Sequence, residues 1–343
     1  MLVMAANLAL SACRDHPTDP REPAAPPAIP VGYASYVSGS TIDVQTVPAG
    51  GALLAGGGTD SDAGMQWLLA QGGATGLRAY GDVVVLRTSG SNGYNAYLEA
   101  FGANSVTSIV ISSTAGANSD FVSNAIAKAE VIFLAGGDQS TYVNLWTGTA
   151  LQRAVNRRVS EGYPVGGTSA GLAVLGPFVY SALDVSSTSA QVMANPYDAS
   201  VTIADALFTV PLLPNVITDS HFAVRNRMGR LVTFLARLQQ DGRAPAPRGI
   251  GIDERSAVGV SKTGLATVFG AGSGAYLLSV MPSALRQCVN SSPATPLSFS
   301  PVTTVNVPVG SQFSVTTWTS ARSIPYTLSV VNGVLTSSSG SVY

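Results

Sequence analysis

Ser169 stands at the centre of Gly167-Thr168-Ser169-Ala170-Gly171, the G-x-S-x-G spacing that places a hydroxyl on a sharp turn between a strand and a helix. The flanking glycines remove side chains that would crowd the turn, and the N–H groups opening the next helix are placed to stabilise an oxyanion. A hydroxyl held this way performs acyl transfer when a base takes its proton and a carboxylate orients the base. The chain has two histidines, His16 and His221. His16 falls in a proline-rich N-terminal stretch, which leaves His221, in Thr218-Asp219-Ser220-His221-Phe222, as the candidate base. For the carboxylate, Glu254 and its rival Asp253 end the strand-like run Gly249-Ile250-Gly251-Ile252. Strand alternation sends the two to opposite sides, so only one of them reaches His221.

The order serine, histidine, carboxylate separates fold families. An α/β-hydrolase places its acid between the serine and the histidine, which here requires Asp184, Asp198, Asp205 or Asp219 beside the imidazole and makes a general esterase. The order found suits a glutamine-amidotransferase-like fold better. With two histidines and no Cys or His pair at ligand spacing, no metal site is expected. Gly56-Gly57-Gly58-Thr59-Asp60 lacks the lysine of a phosphate loop and does not match a dinucleotide fingerprint, so no cofactor is expected either.

The elements that must position these residues are legible as alternating runs. Residues 52–55, 83–86, 109–111, 131–134 and 163–166 predict short buried strands, 119–129 and 149–161 predict helices, and a helix starts at 172–175 after the serine. Strand and helix in alternation predict an α/β fold whose parallel sheet is covered on both faces, with ligands at the carboxyl ends of the strands. Gly56-Gly57-Gly58, Gly136-Gly137 and Gly166-Gly167 cluster at those ends, as where something approaches the backbone closely. After about residue 282 the pattern turns β-rich: 302–318 alternates, and 328–335 carries Asn332-Gly333, which predicts a hairpin with a type I′ turn.

The 343 residues carry a formal net charge of -1 and only 11% charged residues, without a basic stripe, so nucleic acid is not an expected partner. The apolar run 2–12 is too short to span a bilayer as a helix and ends in Leu10-Ser11-Ala12-Cys13, which resembles a lipoprotein signal with Cys13 as the lipidated residue. Residues 14–31 are crowded with proline and predict an extended tether. An extracytoplasmic location follows as an expectation: periplasmic, outer-membrane-anchored or secreted, touching membrane only through that lipid. Cys288 is left without a disulfide partner.

Together, Gly56-Gly57-Gly58, 133–139, 166–171, Asp219-Ser220-His221-Phe222 with Arg225, Arg227 and Arg230, and 249–254 resemble the cyanophycinase family of serine peptidases, which includes the aspartyl dipeptidases. The resemblance covers roughly residues 50–282, in family order. It implies a parallel-sheet three-layer sandwich of the class I glutamine amidotransferase-like (flavodoxin-like) type over 32–282, with the β-rich stretch 283–343 as an extension. It implies a Ser169, His221, Glu254 triad, an oxyanion hole from the N–H groups of Gly137 and Ala170, and a substrate pocket formed by Gln139, Asp219, Arg225, Arg227 and Arg230. One departure is Ser220, where the family usually has Gln before the histidine. The activity implied is that of a serine exopeptidase acting on β-aspartyl-arginine bonds of cyanophycin and releasing dipeptides. Short peptides with an N-terminal aspartate are the nearest alternative substrate, and a non-catalytic peptide-binding lipoprotein is a further reading. The resemblance also hints at a homodimer.

Overall fold

The computed structural model describes residues 32–74 and 80–343. The signal and tether expected over 1–31, with Cys13 and His16, lie outside the described residues. Among the described residues no helix is long and apolar enough to cross a membrane.

The first half of the chain builds β1 (Tyr33–Gly39), β2 (Gly51–Ala55), α1 (Asp62–Gln71), β3 (Val83–Arg87), α2 (Asn95–Ala100), β4 (Ser105–Ile111), α3 (Thr114–Ala117), α4 (Asp120–Lys128), β5 (Val131–Leu134), α5 (Gln139–Trp146), α6 (Ala150–Ser160) and β6 (Val165–Thr168). The five predicted strands are all present, although the one before the serine begins two residues later than expected. Serine and threonine side chains start the helices: Ser61, Ser119 and Thr149 each accept a hydrogen bond from an N–H of the first turn of α1, α4 and α6. The second half adds α7 (Ala170–Ala173), β7 (Phe178–Tyr180), α8 (Ser189–Ala194), β8 (Ile203–Asp205), β9 (Val216–Asp219), α9 (Met228–Gln240), β10 (Arg248–Ile252), β11 (Ser256–Ser261), β12 (Leu265–Gly270), β13 (Ala275–Gln287), β14 (Ser298–Val307), β15 (Gln312–Ser314), β16 (Tyr326–Val331) and β17 (Val334–Ser337).

These strands form two sheets, in the orders β1-β4-β3-β5-β6-β2-β11-β12-β15 and β17-β16-β14-β13-β10-β9-β7-β8. The expected parallel sheet is present in part, within two mixed sheets. In the first sheet the run β4-β3-β5-β6-β2 is parallel, while β1, β11, β12 and β15 join antiparallel. In the second only β10, β9 and β7 run parallel. The reason lies in the connections: helices return the chain between the parallel strands, whereas β10 to β13 are joined by turns too short for a crossover.

Alternation along the strands feeds three apolar clusters. Leu53 and Ala55 face one cluster with Leu68 and Leu69 of α1, while Ala52 and Leu54 face the cluster that also takes Tyr142, Trp146, Ile250 and Ile252. The second sheet sends Ile217, Tyr276 and Leu278 to a third cluster with Leu231, Phe234 and Leu235 of α9. Both faces of β3 and β5 are covered, which is why Val83-Val84-Val85-Leu86 and Val131-Ile132-Phe133-Leu134 read as unbroken apolar runs. The C-terminal stretch divides between the sheets: β15 pairs with β12, whereas β14, β16 and β17 extend the second sheet beyond β13. Asn332 and Gly333 both have positive φ, 48° and 77°, as a type I′ hairpin requires.

Candidate active site

Ser169 lies directly after β6, a central strand of the parallel run, and directly before α7. Its φ of 53° and ψ of −113° are a strained backbone for a residue with a side chain. Two contacts hold it there: its N–H donates to Ala55 O at 3.0 Å, and a Cβ on Gly171 would stand 2.1 Å from Leu134 O, so α7 docks tightly on β5 only because Gly171 has none. As the first residue of α7, Ala170 has an N–H without an intrahelical acceptor.

His221 follows β9 of the other sheet, with φ 47°, and its N–H donates to Gly56 O at 2.7 Å. Its Nε2 lies 2.7 Å from Ser169 Oγ and its Nδ1 lies 2.6 Å from Glu254 Oε1. The two sheets thus meet in one hydrogen-bonded chain of hydroxyl, imidazole and carboxylate. Gly57, φ 94°, lies against the imidazole, and a Cβ there would stand 2.4 Å from Cε1. The glycine cluster at residues 56–58 accordingly approaches a side chain of the protein itself.

The choice between the two acids resolves on geometry. Glu254 reaches the imidazole, whereas Asp253 Oδ1 accepts from the N–H groups of Ala223 and Val224, each at 3.0 Å, and so ties down the turn that follows His221. Glu254 occupies Nδ1, and three of the acids that an α/β-hydrolase arrangement would need are engaged elsewhere: Asp198 accepts from Ser200, Asp205 from Arg243 and Asp219 from Arg230. Asp184 lies at the wall of the cavity described next.

A cavity of about 410 Å³ opens over Ser169 and His221, and Gly137, Gln139, Ser220, Arg225 and Arg227 line it. Asp219 and Arg230, expected at its wall, are instead tied to each other. Arg230 donates from Nε and a terminal nitrogen to the two oxygens of Asp219 at 2.7 and 2.5 Å, and both residues are buried. A lone carboxylate or guanidinium inside the fold is costly, so each is satisfied by the other. Arg230 also donates to Ser186 Oγ and Ser187 O, and the pair thereby fixes the lip of the cavity from behind. Arg227 donates to Ser220 O at 2.8 Å and lies 3.5 Å from Asp219, and Arg225, half exposed, lies 3.7 Å from Glu254.

Two further wall residues are Asp138, to which the sequence assigns no role, and Asp184, which it offers only as an acid for the α/β-hydrolase order. Asp138 caps α5, its carboxylate accepting from Ser140 N at 2.9 Å, and no spacing in the chain points to Asp184 as a cavity-wall residue. The cavity therefore sets two cations against two acids around the hydroxyl. Burial holds the His221 imidazole below its ordinary pKa, the hydrogen bond to Glu254 pulls it back up, and the Arg225 and Arg227 charges push it down again. A neutral imidazole, able to accept the Ser169 proton, results at neutral pH.

Comparison with known proteins gives the context for this geometry. Peptidase family S51 matches residues 91–268. A cyanophycinase of Nostoc sp. is 32% identical over 181 residues, covering 52% of this chain and 55% of the relative. A cyanophycinase of Geminocystis herdmanii is 35% identical over 148 residues, covering 43% and 48%. The chain thus spans about half the length of the curated relatives it matches. Among solved structures, a peptidase from an acI-B1 Actinobacterium aligns with a TM-score of 0.48 at 17% identity, covering 78% of this chain and 97% of that one.

Proposed function

This chain belongs to peptidase family S51, and from that premise we propose that it is a serine peptidase whose nucleophile is Ser169, with His221 as base and Glu254 orienting the imidazole. The observation that carries this reading is the unbroken Ser169–His221–Glu254 hydrogen-bond chain at the floor of a cavity walled by arginines. In the reaction, Ser169 Oγ attacks an amide carbonyl while His221 Nε2 takes its proton. The carbonyl oxygen, now an anion, sits against the N–H groups of Ala170 and Gly137. His221 then gives the proton to the leaving amine, and water repeats the sequence in reverse to release the acid. The serine turn at the end of a central parallel strand also supports a class I glutamine amidotransferase-like, flavodoxin-like reading of the fold.

The substrate we propose is an aspartyl peptide, with cyanophycin as the polymeric form. Arg225 and Arg227 present forked donors suited to a substrate carboxylate, Gln139 adds an amide, and Asp138 and Asp184 face them with charge complementary to an arginine side chain. Incubation with cyanophycin and with short N-terminal aspartyl peptides, followed by mass identification of the products, tests this. Dipeptide products mean main-chain cleavage that leaves each β-aspartyl-arginine bond intact, and free arginine means hydrolysis of the β-aspartyl-arginine bond itself. Ser169→Ala is expected to keep the fold and lose activity by roughly 10⁴-fold or more. Hydrolysis retained by that variant refutes the nucleophile.

A further inference from the structure

The segment from His221 to Arg227 supplies the base and both cavity arginines, and it is bent at both ends in the left-handed region, with φ 47° at His221 and 50° at Asn226. Such a backbone persists only where its surroundings over-determine it. At the His221 end those surroundings are Gly56, Gly57 and Asp253, described above. At the Asn226 end they come from two distant parts of the chain. Ser189 Oγ, at the start of α8, donates to Asn226 O at 2.5 Å. Tyr343 reaches the same residue: its hydroxyl donates to Asn226 Oδ1 at 3.2 Å and accepts from Met228 N at 2.9 Å. The Tyr343 ring packs edge-on against Phe222, at 6.0 Å between centroids, and Tyr276, at 5.5 Å. Burial pushes its phenol up to about 12, so the hydroxyl stays a donor at neutral pH. Residue 343 lies well outside the stretch matched by the family, residues 91–268.

We propose that Tyr343 is a positioning residue for this site, a clasp from the C-terminal β extension that closes the His221–Arg227 segment by holding both sides of Arg227. Its ring covers Phe222, next to the base, and its hydroxyl bridges Asn226 and Met228, which flank Arg227. Loss of the clasp loosens the imidazole and the cavity arginines together, while the charged groups facing His221, which are Glu254, Arg225 and Arg227, remain in the chain. The inference extends the proposed peptidase site, but its principal readout does not depend on turnover.

The test is Tyr343→Phe in the full chain, which keeps the ring and deletes the hydroxyl. Two histidines in the sequence make the His221 imidazole assignable by NMR. Its titration midpoint is expected to rise by roughly half a pH unit toward the ordinary 6.5 as water reaches the ring. KM for aspartyl peptides is expected to rise several-fold, with kcat changed less. A folded Tyr343→Phe protein whose His221 titrates as in the parent overturns the proposal, whatever it does to peptides. Should that variant fail to fold, Asn226→Gly deletes the same acceptor at a position glycine tolerates, and the same upward movement is expected, with an unmoved midpoint again overturning the proposal. A parent protein that cleaves no peptide, with the midpoint still moving in the variant, instead counts against the peptidase reading and leaves the clasp standing.

Discussion

At the scale of single residues, the site is a matter of which hydrogen bond each acid makes. Glu254 and Asp253 are neighbours with opposite duties, and this predicts opposite phenotypes. Glu254→Gln is expected to lose roughly 10³- to 10⁴-fold in kcat with little change in melting temperature, because the imidazole is left in the wrong tautomer. Asp253→Ala is expected to destabilise by about 1–3 kcal/mol, because it strands the N–H groups of Ala223 and Val224. Parallel kinetics and thermal melts separate the two. The pH dependence follows from the lowered His221 pKa. Only the neutral imidazole accepts the serine proton, so kcat/KM should rise with pH and reach half its plateau below 6.5. A profile flat between pH 5 and 8 would remove His221 as the base. Serine and histidine were legible in the sequence because the G-x-S-x-G spacing is local and the histidines are few. The Asp219–Arg230 pairing was not, because nothing in the order of residues tells whether an arginine eleven positions away turns inward to a neighbour or outward to a ligand.

At the scale of elements, the predicted strands and helices were legible because both faces of β3 and β5 are buried and the two predicted helices, α4 and α6, begin on the hydroxyl caps Ser119 and Thr149. The two predicted helices were found as Asp120–Lys128 and Ala150–Ser160, each within a residue of the sequence reading at either end. The second sheet was harder to foresee. β7 and β8 are three residues each, too short for periodicity to register, and β9 gains its place through pairing with β10 rather than through its own pattern. Behind the cavity, the buried Asp219–Arg230 pair joins the end of β9 to α9 and to the lip at Ser186 and Ser187. Arg230→Met strips the buried Asp219 carboxylate of its bidentate partner, leaving it the Ser220 N–H and the more distant Arg227, and is expected to lose about 3 kcal/mol. Asp219→Asn on top of that change is expected to recover part of the loss. Denaturant melts measure both, and a single variant as stable as the parent would show that the pair carries no such burden.

At the scale of the whole molecule, the C-terminal strands join both sheets, a merger that local alternation in the sequence could not reveal because it depends on pairing across long separations. Cys288 follows β13 in the cluster beneath α9, and burial pushes its thiol up to about 12. It should therefore resist a thiol reagent in the native protein and react only as fast as that core opens, which peptide mapping after timed labelling would show. Rapid native labelling of Cys288 would mean that the cluster is open to water. The two-sheet construction also has a consequence for the protein's manufacture. His221 lies fifty-two positions after Ser169 and Glu254 a further thirty-three after His221, and the hydroxyl follows a strand of one sheet while the imidazole and the carboxylate follow neighbouring strands of the other. A chain grown only as far as Ser169 holds the hydroxyl without its imidazole or its carboxylate, and the relay exists only once strands of both sheets have come together.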